Sequence, residues 1–146
     1  MNQSTQGPTS TERFEHSGTV TSSAAAAAVW ALWSDITTWP DWDPSVVAVS
    51  LDGQFEVGTT GTMTLAGPFD VPVSLEVVEP GARYLDQLSM GELVIRIDHV
   101  VVDLDDGCEV TVSTTITGPG ADGIGPMVTA EAPQAMARLV ERAEAG

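Results

Sequence analysis

Apolar and polar residues alternate with a period of two across most of this chain, and repeat every three or four residues only towards its two ends. The alternation predicts strands over residues 13–22, 46–51, 61–66, 71–78, 83–89, 93–104 and 108–117. Turn signals part the later ones: Asp52-Gly53, Gly67-Pro68, Pro80-Gly81, Met90-Gly91 and Asp106-Gly107. After the first strand, Ser22 or Ser23 is placed to cap a helix from Ala24 to Ser34, with Val29, Trp33 (or Leu32) and Ile36 on one face. Its five consecutive alanines fit a helix face that packs closely on its neighbours. Pro40 and Pro44 bracket a second, short helical turn with Trp39 and Trp42 on one side. Beyond Gly118-Pro119-Gly120 a last helix is expected from near Gly125 to Ala143, kinked or split by Pro133.

Strand, two short helices, six strands and a long helix describe an α+β domain built on an antiparallel sheet. A curved sheet around one amphipathic helix commonly leaves a cavity between them. Residues 1–12, rich in Ser, Thr, Gln and Pro, are expected to be a disordered leader, with residues 13–146 a single domain. Three of the four tryptophans fall at positions 33, 39 and 42, which suggests the wall of an apolar cavity or a lid over one.

The hairpins allow the inner face of the sheet to be argued residue by residue. With Asp106-Gly107 as a two-residue turn, Val101 faces Val112, His99 faces Thr114 and Ile97 faces Ile116. Met90-Gly91 as the preceding turn pairs Leu88 with Leu93, Asp86 with Ile95 and Tyr84 with Ile97. A four-residue loop from Glu79 to Ala82 pairs Val77 with Tyr84, Leu75 with Asp86 and Val73 with Leu88. All three turns give one apolar face, interrupted by Asp86, His99, Thr114 and the Tyr84 hydroxyl. His99 is then directly opposite Thr114 and diagonal to Tyr84. A buried carboxylate or imidazole is costly unless paired, hydrated or bound to something. One reading is a polar cluster that orients a ligand oxygen, or in which His99 acts as an acid or base near neutral pH. The other is structural: Tyr84, His99 and Thr114 satisfy one another, and Asp86 sits at a wet sheet edge. The ligand-binding candidates are Trp33, Trp39, Trp42, Met63, Tyr84, Asp86, Ile97, His99, Thr114 and Met127, with His99 and Tyr84 also the catalytic candidates. Glu131 shares the last helix with Met127, and fits the helix surface better than the pocket.

Charge narrows the function. The formal net charge is −16, with 21 acids against five bases, all arginine. Such a surface repels nucleic-acid phosphates and anionic lipid, so nucleic-acid binding is discounted and no membrane insertion is expected. The absence of lysine removes Schiff-base and P-loop chemistry, leaving Gly58-Thr59-Thr60-Gly61 a turn. Two histidines without ligand spacing argue against a zinc site, and no cofactor motif is present. The single Cys108 cannot form an internal disulfide and fits a core or edge position better than a nucleophile. With no apolar leader and no long apolar run, a cytoplasmic location is expected. Nothing in the pattern fixes an oligomeric state.

Two segments carry a family resemblance: Val29-Trp30-Ala31-Leu32-Trp33-Ser34-Asp35-Ile36, and Trp39-Pro40-Asp41-Trp42-Asp43-Pro44-Ser45-Val46. Val57-Gly58-Thr59, Glu79-Pro80-Gly81-Ala82-Arg83-Tyr84, His99, Asp106-Gly107-Cys108-Glu109-Val110-Thr111 and Gly118-Pro119 continue it in order. From about Phe14 to Ala143 the chain resembles the polyketide cyclase/dehydrase family of the START/Bet v 1-like (SRPBCC) superfamily. The resemblance implies a helix-grip fold, a curved seven-stranded antiparallel sheet around a long C-terminal helix with an internal ligand cavity. It implies no catalytic residue, since no motif of the true cyclases is recognised. Three functions follow as expectations: binding of a small hydrophobic or aromatic, polyketide- or lipid-like molecule; a cyclase or dehydrase using His99 with Tyr84; or a protein-interaction module suited to a basic partner.

Overall fold

The computed structural model describes residues 12–146, so the expected leader lies outside it apart from Glu12. Seven strands form one antiparallel sheet in the order β1-β7-β6-β5-β4-β3-β2. They are β1 (Arg13–Ser22), β2 (Val46–Leu51), β3 (Thr60–Leu65), β4 (Phe69–Glu79), β5 (Arg83–Met90), β6 (Leu93–Leu104) and β7 (Gly107–Thr117). Helix α1 (Ala26–Trp33), a single 3-10 turn at Ile36–Thr38 and α2 (Trp39–Trp42) join β1 to β2. The chain ends in α3 (Ala121–Val128) and α4 (Ala132–Ala145). The expected long helix is therefore two helices. Pro133 stands in the first turn of α4, where its missing N–H is harmless, and the break falls just before it at 129–131.

Period-two patterning sends Val71, Val73 and Leu75 of β4, Tyr84 and Leu88 of β5, Ile95 and Val101 of β6, and Val110 and Ile116 of β7 into one core. Trp33, Trp39, Trp42, Met136 and Leu139 meet them from the helical side. A buried tryptophan removes roughly 150–250 Å² from water, worth about 4–6 kcal/mol at 25 cal/mol/Å² before the entropy of ordering it. The tryptophan-rich connection is thus a principal source of cohesion, and its three indoles are core rather than lid.

The faces come out as expected from the alternation, but two registers are displaced by two residues. Leu104 pairs with Gly107, so the β6–β7 turn is Asp105-Asp106, and His99 faces Val112 while Ile97 faces Thr114. Met90 pairs with Leu93, so the β5–β6 turn is Gly91-Glu92, and Tyr84 faces His99 while Asp86 faces Ile97. Gly91 has φ +60°, the left-handed conformation that the first position of a tight hairpin needs. Gly107 serves another purpose. A Cβ there would run into the backbone of Ser22 on the neighbouring β1, so the glycine permits close approach and does not make the turn. Between β4 and β5, Val73/Leu88 and Leu75/Asp86 pair as expected. A bulge then moves Val78, not Val77, opposite Tyr84 and onto the core side.

Capping differs from expectation as well. The N-cap of α1 is Ala25, which makes no side-chain cap. Its place is taken by Asp103 on β6, whose Oδ1 accepts from the Ala26 N–H at 3.0 Å. Ser22 instead donates to Glu144 Oε2 at 2.8 Å, tying the end of β1 to α4. At the other end, α3 lies so close to β1 that a Cβ on Gly125 would enter the Phe14 ring. In an open helix Gly→Ala gains about 1 kcal/mol; here the collision decides the sign. Gly125→Ala is expected to lower stability by about 1–3 kcal/mol in urea denaturation, and a gain would mean that α3 stands off the sheet.

Candidate functional site

The floor of the site is made by two neighbouring strands. Tyr84 on β5 and His99 on β6 are directly paired, and their rings stack at 3.9 Å with 6° between planes. Trp33 sets an edge against both, at 5.5 Å from each ring. Trp39 stacks on the Tyr84 ring at 5.8 Å, and Phe55 meets it edge-on at 5.2 Å. Trp39 is itself held by its Nε1–H, which donates to the Trp33 carbonyl at 2.9 Å. Trp42 adjoins it at 6.1 Å and donates its Nε1–H to Thr38 Oγ1 at 3.2 Å. The two helices after β1 place these rings because Trp39 and Trp42 are three apart on one helical turn.

Beside this aromatic block the sheet and the C-terminal helices enclose a cavity in two lobes. The larger, of about 250 Å³, is lined by Trp39, Trp42, Met63, Tyr84, Asp86, Leu88, Ile95, Ile97 and His99, among others. Phe69 of β4 and Met127 of α3, 44% and 74% exposed, stand at its rim. The smaller, of about 100 Å³, is lined by Trp33, Ile97, His99, Val112, Thr114, Val128, Met136 and Leu139, with Glu131 at its exposed edge. Trp42, Asp43, Ser45, Ile97, His99 and Val128 border both lobes. Each of the ten ligand-binding candidates borders one lobe or the other. Thr114 is separated from Tyr84 by the register, facing Ile97 and not His99. Pattern reasoning passed over Asp43, although the Asp43-Pro44-Ser45 stretch carried a turn signal. Asp43 Oδ1 accepts from the Ser45 N–H at 2.9 Å and its hydroxyl at 2.7 Å, which fixes the carboxylate at the junction of the two lobes.

Polar groups in this interior are unequally satisfied. His99 Nδ1–H donates to the Tyr84 carbonyl at 3.2 Å, so the neutral imidazole keeps an unprotonated Nε2. Burial pushes its pKa down to about 4, and the hydrogen bond to Tyr84 opposes that only in part. His99 is therefore neutral at pH 7. Asp86 is only 2% exposed, and its Oδ1 has no hydrogen-bond partner. Burial, reinforced by the nearby Asp43 charge, pushes its carboxyl up to about 7. The Tyr84 hydroxyl is raised well above its ordinary range, first by burial and then by the charges of Asp86 and Asp43. Asp43 is raised by its own burial. Cys108 is fully buried at the start of β7, with its thiol raised by burial. Trp33 Nε1 is also buried without a partner. Among the described residues no cluster of three or more His, Cys, Asp or Glu is placed to hold a metal ion, and no helix is long and apolar enough to cross a membrane.

A curved antiparallel sheet, two short helices after its first strand, a C-terminal helix across the concave face and an apolar chamber beneath define a helix-grip protein of the Bet v 1-like class. Residues 13–144 match the family described as polyketide cyclase/dehydrase and lipid transport, and the chain belongs to that family. Its fold is similar to the crystal structure of Ara h 8.0201 (TM-score 0.75, 15% identity, covering 92% of this chain and 100% of that one). Truncated norcoclaurine synthase from Thalictrum flavum is similar too (TM-score 0.72, 20% identity, 96% of this chain and 95% of that one). The di-domain ARO/CYC StfQ from the steffimycin biosynthetic pathway gives a TM-score of 0.76 at 11% identity, over 90% of this chain and 51% of that one. No curated protein sequence gives a significant match.

The two buried titrating groups pull stability in opposite directions. Unfolded, Asp86 ionises at its ordinary 3.8 and in the fold only at about 7, so native stability falls as pH rises between those values. His99 takes a proton at 6.5 when unfolded and at about 4 in the fold, so stability rises with pH across that interval. Asp86→Asn removes the first slope and leaves the second. The variant is expected to gain on wild type as pH rises from 4 to 7, by on the order of 4 kcal/mol at most, at about 1.4 kcal/mol per unit. Urea denaturation at pH 5 and pH 8 measures this, and a difference that does not grow with pH would place Asp86 at its ordinary value.

Proposed function

We propose that this protein binds a small, mainly apolar molecule with an aromatic ring inside the two-lobed cavity. The observation that carries this is the larger lobe itself, about 250 Å³ of space walled by Trp39, Trp42, Tyr84 and aliphatic side chains. Ligand pockets run from roughly 300 to 1,000 Å³, and this one lies at or below the small end of that range. A compact ring system fits such a chamber better than an extended acyl or polyketide chain. Membership of a family that includes lipid transport supports binding of apolar cargo in general. Trp39, Trp42 and the Tyr84 side chain give a ring apolar contact along the wall of the larger lobe, and the polar edge of the cavity gives it an orientation. A protein-interaction role gains less support, because the cavity is not filled by the protein's own side chains.

Catalysis of the cyclase or dehydrase type is a second reading, favoured by one observation, but with a different residue in the central role. His99, neutral at pH 7 and holding its Nδ1 proton against a carbonyl, is a weak base. Asp86, which borders the larger lobe and has one unpartnered oxygen and a pKa of about 7, has the properties of an acid–base group at neutral pH. Under this reading Asp86 transfers the proton and Tyr84 and His99 position the substrate.

The binding proposal is tested with a neutral apolar fluorophore such as N-phenylnaphthylamine, whose emission rises in a dry site. Wild type is expected to bind it saturably. Ile97→Phe, at the junction of the lobes, is expected to weaken binding by at least about tenfold, because the added ring occupies ligand space. Equal binding by the variant, with its thermal transition intact, would place the dye outside the cavity.

A further inference from the structure

The charges around the cavity have one sign. Asp43, Asp86 and Glu131 are the side chains of fixed formal charge that line the two lobes, and no arginine lines either. The chain has no lysine at all. Four of its five arginines are engaged elsewhere: Arg83 pairs with Asp98 at 2.9 Å, Arg142 with Asp41 at 3.2 Å and Arg13 with Glu15, and Arg96 donates to Gln87. A buried carboxylate normally draws an arginine, several backbone N–H groups or water. Asp86 has one oxygen with no partner, in a wall otherwise made of Tyr84, Leu88, Ile95 and Ile97.

Resting on the cavity-binding reading above, we infer that the ligand carries a positively charged nitrogen, an alkylammonium attached to an aromatic body, which pairs with Asp86. Each class of polar group meets this wall differently. An anionic ligand would face three carboxylates without a counter-charge. A neutral carbonyl would require Asp86 to stay protonated, and would gain nothing from Asp43. An ammonium supplies the N–H donors that the unpartnered oxygen lacks, and Asp43 adds attraction from the junction of the lobes. The indoles of Trp39 and Trp42 add aromatic surface that favours a cation. The neutral His99, with Nε2 unprotonated, offers a further acceptor and no competing charge. A metal ion is poorly matched to so apolar a wall, since hard cations take six or more oxygen ligands. Burial raises the Asp86 carboxyl to about 7, and an ammonium placed against it would oppose that rise.

Three probes with one ring system separate the options: naphthylethylamine, naphthylethanol and naphthylacetate, titrated at pH 7.5 by calorimetry and tryptophan fluorescence. The amine is expected to bind about ten- to a hundredfold more tightly than the alcohol, and the acetate more weakly than either. Asp86→Asn is expected to bring the amine-to-alcohol ratio to about one, since asparagine keeps the shape and loses the charge. The wild-type ratio tests the inference even if that variant does not fold. An alcohol bound as tightly as the amine by wild type overturns the cationic ligand and leaves the cavity reading standing. A preference that survives Asp86→Asn overturns the assignment to Asp86. Failure of all three probes and of the neutral fluorophore overturns the cavity reading, and this inference with it.

Discussion

The flat contact between Tyr84 and His99 is the point on which the interior is organised. It joins β5 to β6 on the concave side, and it gives Trp33 and Trp39 an aromatic surface to pack against. The segment after β1 owes its position to that surface: Trp39 stacks on Tyr84 and hydrogen-bonds the carbonyl of Trp33. Once these rings are fixed, α4 and the aromatic block cover part of the sheet between them, and what they leave uncovered is the cavity. On its helical side the chamber is bordered by Trp33, Trp39 and Trp42 and by Met136 and Leu139 of α4.

Within that chamber the distribution of charge is the second organising fact. A chain with 21 acids and five arginines has few cations to place, and those it has serve the outer face and the helix surface. The interior therefore holds carboxyl groups without internal neutralisation. Asp86 answers burial by holding its proton, and His99 answers the same burial by losing its own. One environment thus lowers the pKa of a base and raises that of an acid, so that at pH 7 His99 is neutral and Asp86 is near half-ionised, and their opposing pH slopes partly hide each other in the stability of the intact protein.

Much of the fold was legible in the alternation of residue types, and the reason is parity. A register error of two residues leaves every side chain on its original face. Taking Asp106-Gly107 and Met90-Gly91 as turns misplaced both hairpins by two, yet Asp86, His99 and Thr114 still point inward. Contacts are not protected in this way. His99 lost Thr114 as its opposite and gained Tyr84, and with that the polar cluster became a stacked pair. The error has a physical origin, because an Asp-Gly dipeptide is favoured in tight turns, whereas Gly107 is held instead by the nearness of the Ser22 backbone. The position of Asp43 and the bulge between Leu75 and Val77 depend on tertiary packing, and local pattern contains neither. Asp103 capping α1 from a strand 77 residues away in sequence is legible only in three dimensions.

The break at 129–131 separates two mechanical duties that an unbroken helix would have combined. The fourteen-residue α4 is anchored, its Glu144 bonded to Ser22 and its Arg142 to Asp41, and its Leu139 and Met136 sunk in the core. The eight-residue α3 carries Met127 at the rim, across from Phe69. Substitution at Met127, 74% exposed, therefore alters the rim of the cavity without touching the anchored helix. Rim and frame thereby lie on different pieces of backbone, with Gly125 the point at which the short helix is pressed against Phe14 of β1.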